Sequence, residues 1–262
     1  SLLRCAVRLR FNITVKLLGY LLVAGIVPLT VLGFSALEIS RRIVLEQAQA
    51  ENVRVLGGFA SYLSLYHGQI DDLATNIAGN EAIGSALLAG ADSENHGFDA
   101  LNLRAQVGYT LNNYVRVKGL VSLDLFSTNG AHFHVGETLT TSTVAPEVAG
   151  ALISEAAQSQ SPTLWRGVGP NINRSSRYGQ VTSVVRAIRH FSPTTGKSDT
   201  VGVLVVTLSG DIMREYLSQV PLPSGQQLMR IGGQGRIALH SDPQMVGQAF
   251  SPVLLELMRN AL

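Results

Sequence analysis

Between Leu17 and Leu37 the chain runs for 21 residues without a charge, LLGYLLVAGIVPLTVLGFSAL. About 20 apolar helical residues cross a hydrocarbon core of roughly 30 Å, so this run predicts a membrane-spanning helix. Pro28 near its middle is tolerable in lipid. A cleaved leader is the nearest competitor, but its apolar core is usually only about 7–15 residues. Length therefore decides, because the cleavage sites are equivocal: one after Ala36 leaves bulky Phe34 where a small residue is wanted, whereas one after Ser35 fits. Arg4, Arg8, Arg10 and Lys16 precede the run, and only Arg41 and Arg42, flanked by Glu38 and Glu46, follow closely. That asymmetry keeps residues 1–16 in the cytoplasm and sends everything from about residue 38 outside, which in a bacterium is the periplasm or the cell exterior.

The flank also explains the net charge. The whole chain carries 20 basic and 18 acidic residues. Without the four leading cations the balance is 16 against 18, or −2. A nucleic-acid partner is excluded on this ground, since phosphate affinity needs a surplus of cations. With 262 residues, 46% of them apolar, the chain is long and greasy enough for a real core. Cys5 is the only cysteine and lies in the cytoplasmic flank, so the outer part has neither disulfide nor thiolate metal site.

Beyond the membrane Leu56, Phe59, Leu63, Tyr66, Ile70, Leu73 and Ile77 recur at alternating spacings of three and four, which places them on one helix face. One helix over 38–79 is expected, its seam either packing into the chain's own core or pairing with a second copy. Residues 80–118 read as further helices around a loop between Leu88 and Phe98. Strands follow at Gly119–Ser127 and Ala131–Val135 around Asn129-Gly130, the strongest short hairpin signal. A helix at about 145–158 leads to strands at Thr163–Arg166, Gln180–Phe191 and Val201–Leu208, the last two joined by a turn at Ser192–Lys197. A helix from Gly210 to Val220, broken by Pro221 and Pro223, precedes a smaller hairpin, Leu228–Ile231 with Arg236–His240, and a last helix near Ser251. The fold class is α+β, with antiparallel sheets in two stacked lobes.

The hairpin LDLFSTNGAHFHVG, the strand TVGVLVVTLSGDI and the segment RIGGQGRIALHSDPQMVGQ carry a resemblance. The last segment is the most specific, through Gly235-Arg236-Ile237, His240, Asp242-Pro243 and Val246-Gly247. Residues 38–262 resemble the double Cache (tandem PAS-like) extracytoplasmic sensor region of bacterial transmembrane receptors. The resemblance implies a distal PAS-like lobe at 80–208, a proximal one at 209–262, a small-molecule ligand in the distal lobe and a homodimer through the long helix. It also implies a second membrane helix and an output module after Leu262: a histidine kinase first, with diguanylate cyclase and chemoreceptor as alternatives. Family members that bind amino acids place an Asp late in the strand that here reads Gly202 to Thr207. Thr207 stands in its place, and Trp165 is followed rather than preceded by an arginine, which disfavours an α-amino ligand.

Between Glu155 and Asp199 there is no acidic residue, yet Arg166, Arg174, Arg177, Arg186, Arg189 and Lys197 lie there. Guanidinium groups bind carboxylate and phosphate well, so the stretch suits a small anion unless it is a solvated face neutralised by acids elsewhere. Arg186 and Arg189, three apart in a strand, are expected on opposite faces. The ligand-binding candidates are Asp124, Trp165, Arg166, Asn171, Tyr178, Arg186 and Thr207. His132 and His134 share a strand face, but no carboxylate follows them at ligand spacing. They are expected to be solvent-exposed, with no metal site and no cofactor. No catalytic motif survives: Gly196-Lys197-Ser198 lacks the earlier glycine of a phosphate loop, Phe191 standing there, and neither a nucleophile elbow nor a zinc-protease motif occurs. A membrane-tethered hydrolase or metal-dependent enzyme remains an alternative and requires at least three His and acidic residues to converge in one cleft, and metal in the purified protein. A structural factor holding a partner helix is a third reading.

Overall fold

The computed structural model describes residues 13–89, 98–138, 144, 146–192, 196–219, 228–232, 235–240, 242–251, 253 and 256. Cys5 and the first three cations, the loop 90–97, most of the turn 192–197, Pro221 and Pro223, and most of the helix expected after Ser251 lie outside these residues. The chain divides into two compact units, Ser1–Ser64 and Leu65–Leu262.

The uncharged run lies within helix α1 (Ile13–Ala78), which carries Pro28 in its interior. Its most apolar 18-residue stretch has mean hydropathy 2.2, meets the length and composition needed to cross a membrane, and is wholly unburied by the rest of the chain. Leu21 and Phe34, 71% and 74% exposed, would waste apolar surface in water, and a lipid environment removes that cost. Further along the first unit the surface is charged, with ion pairs Arg42–Glu38 and Arg54–Glu51 at one-turn spacing.

In the second unit the seam of α1 is spent on the chain's own core. Tyr66, Ile70, Leu73 and Ile77 are buried, whereas Leu56 in the first unit is 51% exposed. Gly79 ends the helix, and Asn80 caps the next, α2 (Glu81–Ala89), its Oδ1 accepting from the amides of Ala82 and Ile83. Helix α3 (Phe98–Asn112) leads into a five-stranded antiparallel sheet: β1 (Leu120–Ser127), β2 (His132–Gly136), β3 (Thr163–Pro170), β4 (Gln180–Ser192) and β5 (Lys197–Leu208), in spatial order β2-β1-β5-β4-β3. Helix α4 (Pro146–Gln158) joins β2 to β3, and α5 (Asp211–Gln219) follows β5. A second sheet pairs β6 (Met229–Ile231) with β7 (Ile237–His240).

The pairing assigns the faces, because residues directly opposite in neighbouring strands point the same way. Leu123, Leu125, Val184, Leu204 and Val206 fill one face, almost wholly inaccessible. This face meets α2: the Ser127 hydroxyl donates to the Leu87 carbonyl at 2.7 Å. On the other face Phe126, Val185, Val203 and Val205 pack with Leu152 and Ala156 of α4. The expected strands are present, two of them longer than their signals. β3 continues past Arg166 to Pro170 over an irregularity between Trp165 and Val168, where Gly167 takes φ +73°. β5 starts at Lys197, where polar residues pair with the exposed end of β4.

Candidate functional site

The β1–β2 turn decides what the other face carries. Gly130 (φ +88°) follows a turn closed by its own amide on the Ser127 carbonyl at 3.1 Å, and the Ser127 amide donates to the Ala131 carbonyl at 2.8 Å. Thr128, Asn129 and Gly130 thus make a three-residue loop rather than a two-residue Asn-Gly turn. Asn129 also donates to the Leu88 carbonyl at 3.0 Å, tying the turn to α2. The resulting register sets Asp124 opposite His134 and Phe126 opposite His132.

Both imidazoles converge on one carboxylate oxygen. His134 Nδ1 lies 2.7 Å and His132 Nε2 2.9 Å from Asp124 Oδ1, while the Ser122 hydroxyl donates to Oδ2 at 2.8 Å. His134 Nε2 lies 2.9 Å from the Thr138 carbonyl and 3.1 Å from the Thr138 hydroxyl, so both ring nitrogens are engaged. The bond to Asp124 raises His134 above its ordinary value, against burial, with the Asp124 charge and the Thr138 carbonyl adding to the rise. For Asp124 burial alone would raise the carboxyl. The bonds from His132, His134 and Ser122 and the His134 charge outweigh it and hold Asp124 below the carboxylate range. Asn173, itself buried, donates to Thr138 Oγ1 at 2.6 Å and closes the network toward the loop after β3.

The expectation that His132 and His134 are solvent-exposed is corrected here: their side chains are 18% and 3% accessible, and Asp124 is fully buried. The partner that sequence spacing hides is a carboxylate on the neighbouring strand. Three His and acidic residues therefore converge, but away from the cavities described below, whereas the hydrolase alternative requires them in one cleft.

Thr207 lies on the same sheet face as Asp124, opposite Ser122 and Ser183, and its hydroxyl is the buried side-chain polar atom left without a partner among the described residues. Trp165 pairs with Val184 and so points to the opposite face, where its Nε1 donates to Asp71 of α1 at 3.1 Å and its ring lies 4.2 Å from that of His67. Burial and the nearby charge of Arg230 lower His67, against the pull of Asp71. Asn171 and Tyr178 form the neck of the loop after β3, the Asn171 amide side chain donating to the Tyr178 carbonyl at 3.1 Å.

Several of the expected cations have partners. Arg166 pairs with Glu155 at 3.3 Å and Arg177 with Glu137 at 3.1 Å. Arg186 and Arg189, expected apart, line one cavity of about 390 Å³ with Thr75, Gly79 and Ser159. The physical reason is that β3 ends its pairing at Arg186, so the remaining edge of β4 is open and side chains from both faces reach around it. The C-terminal ends of α1 and α4 meet at this cavity, and two guanidinium groups offset their negative carbonyl ends.

A cleft opens over the irregular part of β3. One lobe of about 390 Å³ is lined by Glu155, Leu164, Trp165, Arg166, Ser183 and Arg236 among others. A smaller one of about 130 Å³ shares Trp165, Arg166 and Arg236 and reaches Gly232 and Ala238 of the second sheet. Arg236, whose Nη1 donates to the Gly247 carbonyl at 2.9 Å, forms no ion pair among the described residues. The cleft thus holds two guanidinium groups against one carboxylate. The structure brings Trp165 and Arg166 together here, places Thr207 on β5 opposite the cleft-lining Ser183 and Asp124 on β1 beyond it, and leaves Arg186 in the separate cavity. His132, His134, Thr138, Asn173 and Arg236 were not among the sequence candidates. The His-x-His spacing signalled the first two, the Asn171-x-Asn173 pair beside Trp165 signalled Asn173, and Arg236 stood only in the segment that carries the resemblance.

No family model matches the chain, and no curated protein does. Among solved structures it is similar to the sensor domain of the V. cholerae histidine kinase DctB, with TM-score 0.53 and 12% identity over 84% of this chain and 76% of that one. It is similar to the periplasmic sensory domain of the Campylobacter jejuni chemoreceptor Tlp1, with TM-score 0.50 and 14% identity over 73% and 71%. The chain shares the fold of these two sensor domains. Within that fold the cleft lies at β3, between the main sheet and β6–β7, and the Asp–His cluster lies at the opposite edge, on β1–β2.

Proposed function

We propose that the chain is the extracytoplasmic sensing region of a membrane-bound receptor, anchored by residues 17–37, and that a small anionic molecule binds in the β3 cleft between Arg166 and Arg236. The carrying observation is that Trp165 both lines the cleft and donates its indole N–H to Asp71 of α1. A ligand that repositions Trp165 acts on the helix directly, and only a ligand with different affinity for two states of that contact shifts their populations. Two cations against one carboxylate suit a carboxylate or phosphate, which guanidinium groups grip in bidentate fashion. Of the candidates, Trp165 and Arg166 then touch the ligand. Asn171 and Tyr178 shape the loop beside it, Thr207 lies opposite the cleft-lining Ser183, and Asp124 and Arg186 lie elsewhere.

The likeness to DctB, which spans more of the chain, supports a histidine kinase as the output. The likeness to Tlp1 supports a chemoreceptor as the second reading. In either receptor the exposed apolar residues Ile39, Ile43, Val44 and Val53 are the part of α1 left to pair with a second copy.

The full chain in detergent micelles, melted in the presence of dicarboxylates and organic phosphates, tests the reading. A ligand at 100 times its Kd adds about 2.7 kcal/mol, a rise of roughly 5–10 °C for a domain of this size. The rise should vanish in Arg166→Ala and in Arg236→Ala. Unshifted melting across both anion classes would defeat the anion assignment. Fusions to a kinase and to a chemoreceptor output, compared for ligand-dependent signalling, separate the two receptor types.

A further inference from the structure

We propose that Asp124, His132 and His134 bind a divalent transition-metal ion of the zinc class. Three potential donor atoms, a carboxylate oxygen and two imidazole nitrogens, lie within 4.8 Å of one another. Both nitrogens already lie against the same oxygen, at 2.7 and 2.9 Å. Ligand atoms of a tetrahedral zinc site at about 2.0 Å from the metal stand roughly 3.3 Å apart. Small side-chain movements therefore open each Asp–His contact by about half an ångström to admit the ion, which displaces the protons those contacts hold.

The surroundings are those a metal site requires. A ligating histidine normally donates its other ring N–H to a carbonyl or carboxylate, which fixes the tautomer. His134 Nε2 does so to the Thr138 carbonyl, directing the lone pair of Nδ1 toward Asp124. The second carboxylate oxygen is engaged by Ser122, so Oδ1 remains for the metal. His132 stacks on Phe126 with ring centroids 4.3 Å apart, which orients it, and it is the most accessible member, leaving an entry path and an open coordination position. Two imidazoles and one carboxylate without a thiolate suit zinc, cobalt, nickel or copper better than calcium or magnesium, which take oxygen ligands. The site lies on β1–β2, separate from the β3 cleft, and does not depend on the anion reading.

The untagged full chain in detergent micelles, stripped with a chelator and titrated with Co²⁺, tests the proposal. One equivalent should bind with visible ligand-field absorption, and Zn²⁺ should displace it. His132→Ala should weaken Co²⁺ binding roughly 100-fold and Ser122→Ala about tenfold. If His132→Ala melts early, His132→Gln carries the comparison, since it keeps a hydrogen-bond donor toward Asp124 while losing the imidazole. No stoichiometric Co²⁺ uptake by the parent, or equal uptake by the His132 variant, overturns the site. Either result leaves the cleft untouched, because that reading is judged by anion-dependent melting through Arg166 and Arg236.

Discussion

The two faces of the five-stranded sheet are written by the same strands and do different work. Leu123-Asp124-Leu125 sends two leucines into the face covered by α2 and one carboxylate to the other. The first face is apolar through its centre. The second is apolar only beneath α4 and turns polar at β1–β2, where Ser122, Asp124, His132 and His134 replace aliphatic side chains. Burial stabilises the first by excluding water. The second holds its charges only because every acceptor of Asp124 is engaged, so removing one partner there is costlier than its small size suggests.

Asp124→Ala should be the most damaging single change, about 3–5 kcal/mol, because it takes the shared partner from two imidazoles and the Ser122 hydroxyl at once. Chemical denaturation measures it, and a loss under about 1 kcal/mol would mean that the polar edge is merely wetted surface. Leu204→Ala on the opposite face should cost about 2–5 kcal/mol through lost contacts and a residual cavity. Similar values for the two variants would put a charge pair and an aliphatic core on equal footing by different routes. Thr207→Val should move stability the other way, raising it by about 1 kcal/mol, since an unpaired hydroxyl leaves the interior. A decrease would show that the hydroxyl is engaged by a bound group.

The smallest effect concerns pH. The fold favours neutral His67, which faces Asp71 on its own helix, Trp165 from β3 and the Arg230 charge from β6. Its contribution is present above the unfolded value of 6.5 and is lost as pH falls through the lowered folded value. Between pH 7.5 and 5.5 the parent should therefore lose more melting temperature than His67→Asn. Parallel losses would show that the ring is indifferent to its surroundings.

The element order was legible because each signal was local. The seam Tyr66–Ile77, the glycine-bearing hairpin and the β-branched runs of β4 and β5 each announce themselves within a dozen residues. The Asp–His cluster was not, because it depends on one residue of register. A two-residue Asn-Gly turn would have set Asp124 opposite Val135. The extra residue in the observed loop brings His134 across instead. Arg236, part of the segment that carries the resemblance, was not legible as a binding residue for a related reason: it belongs to the smaller sheet and meets Arg166 only through tertiary packing. The opposite-face expectation for Arg186 and Arg189 followed correctly from strand alternation, but a strand edge gives both side chains a common exit.

Trp165 is at once a wall of the cleft and a donor to α1. On the proposed reading, recognition and reporting reside in different atoms of one neighbourhood: the guanidinium groups of Arg166 and Arg236 would set what is grasped, while the indole would set where the message goes. Descendants of such a chain could exchange the former for other chemistries and inherit the latter unchanged, so a new taste would require no new wiring.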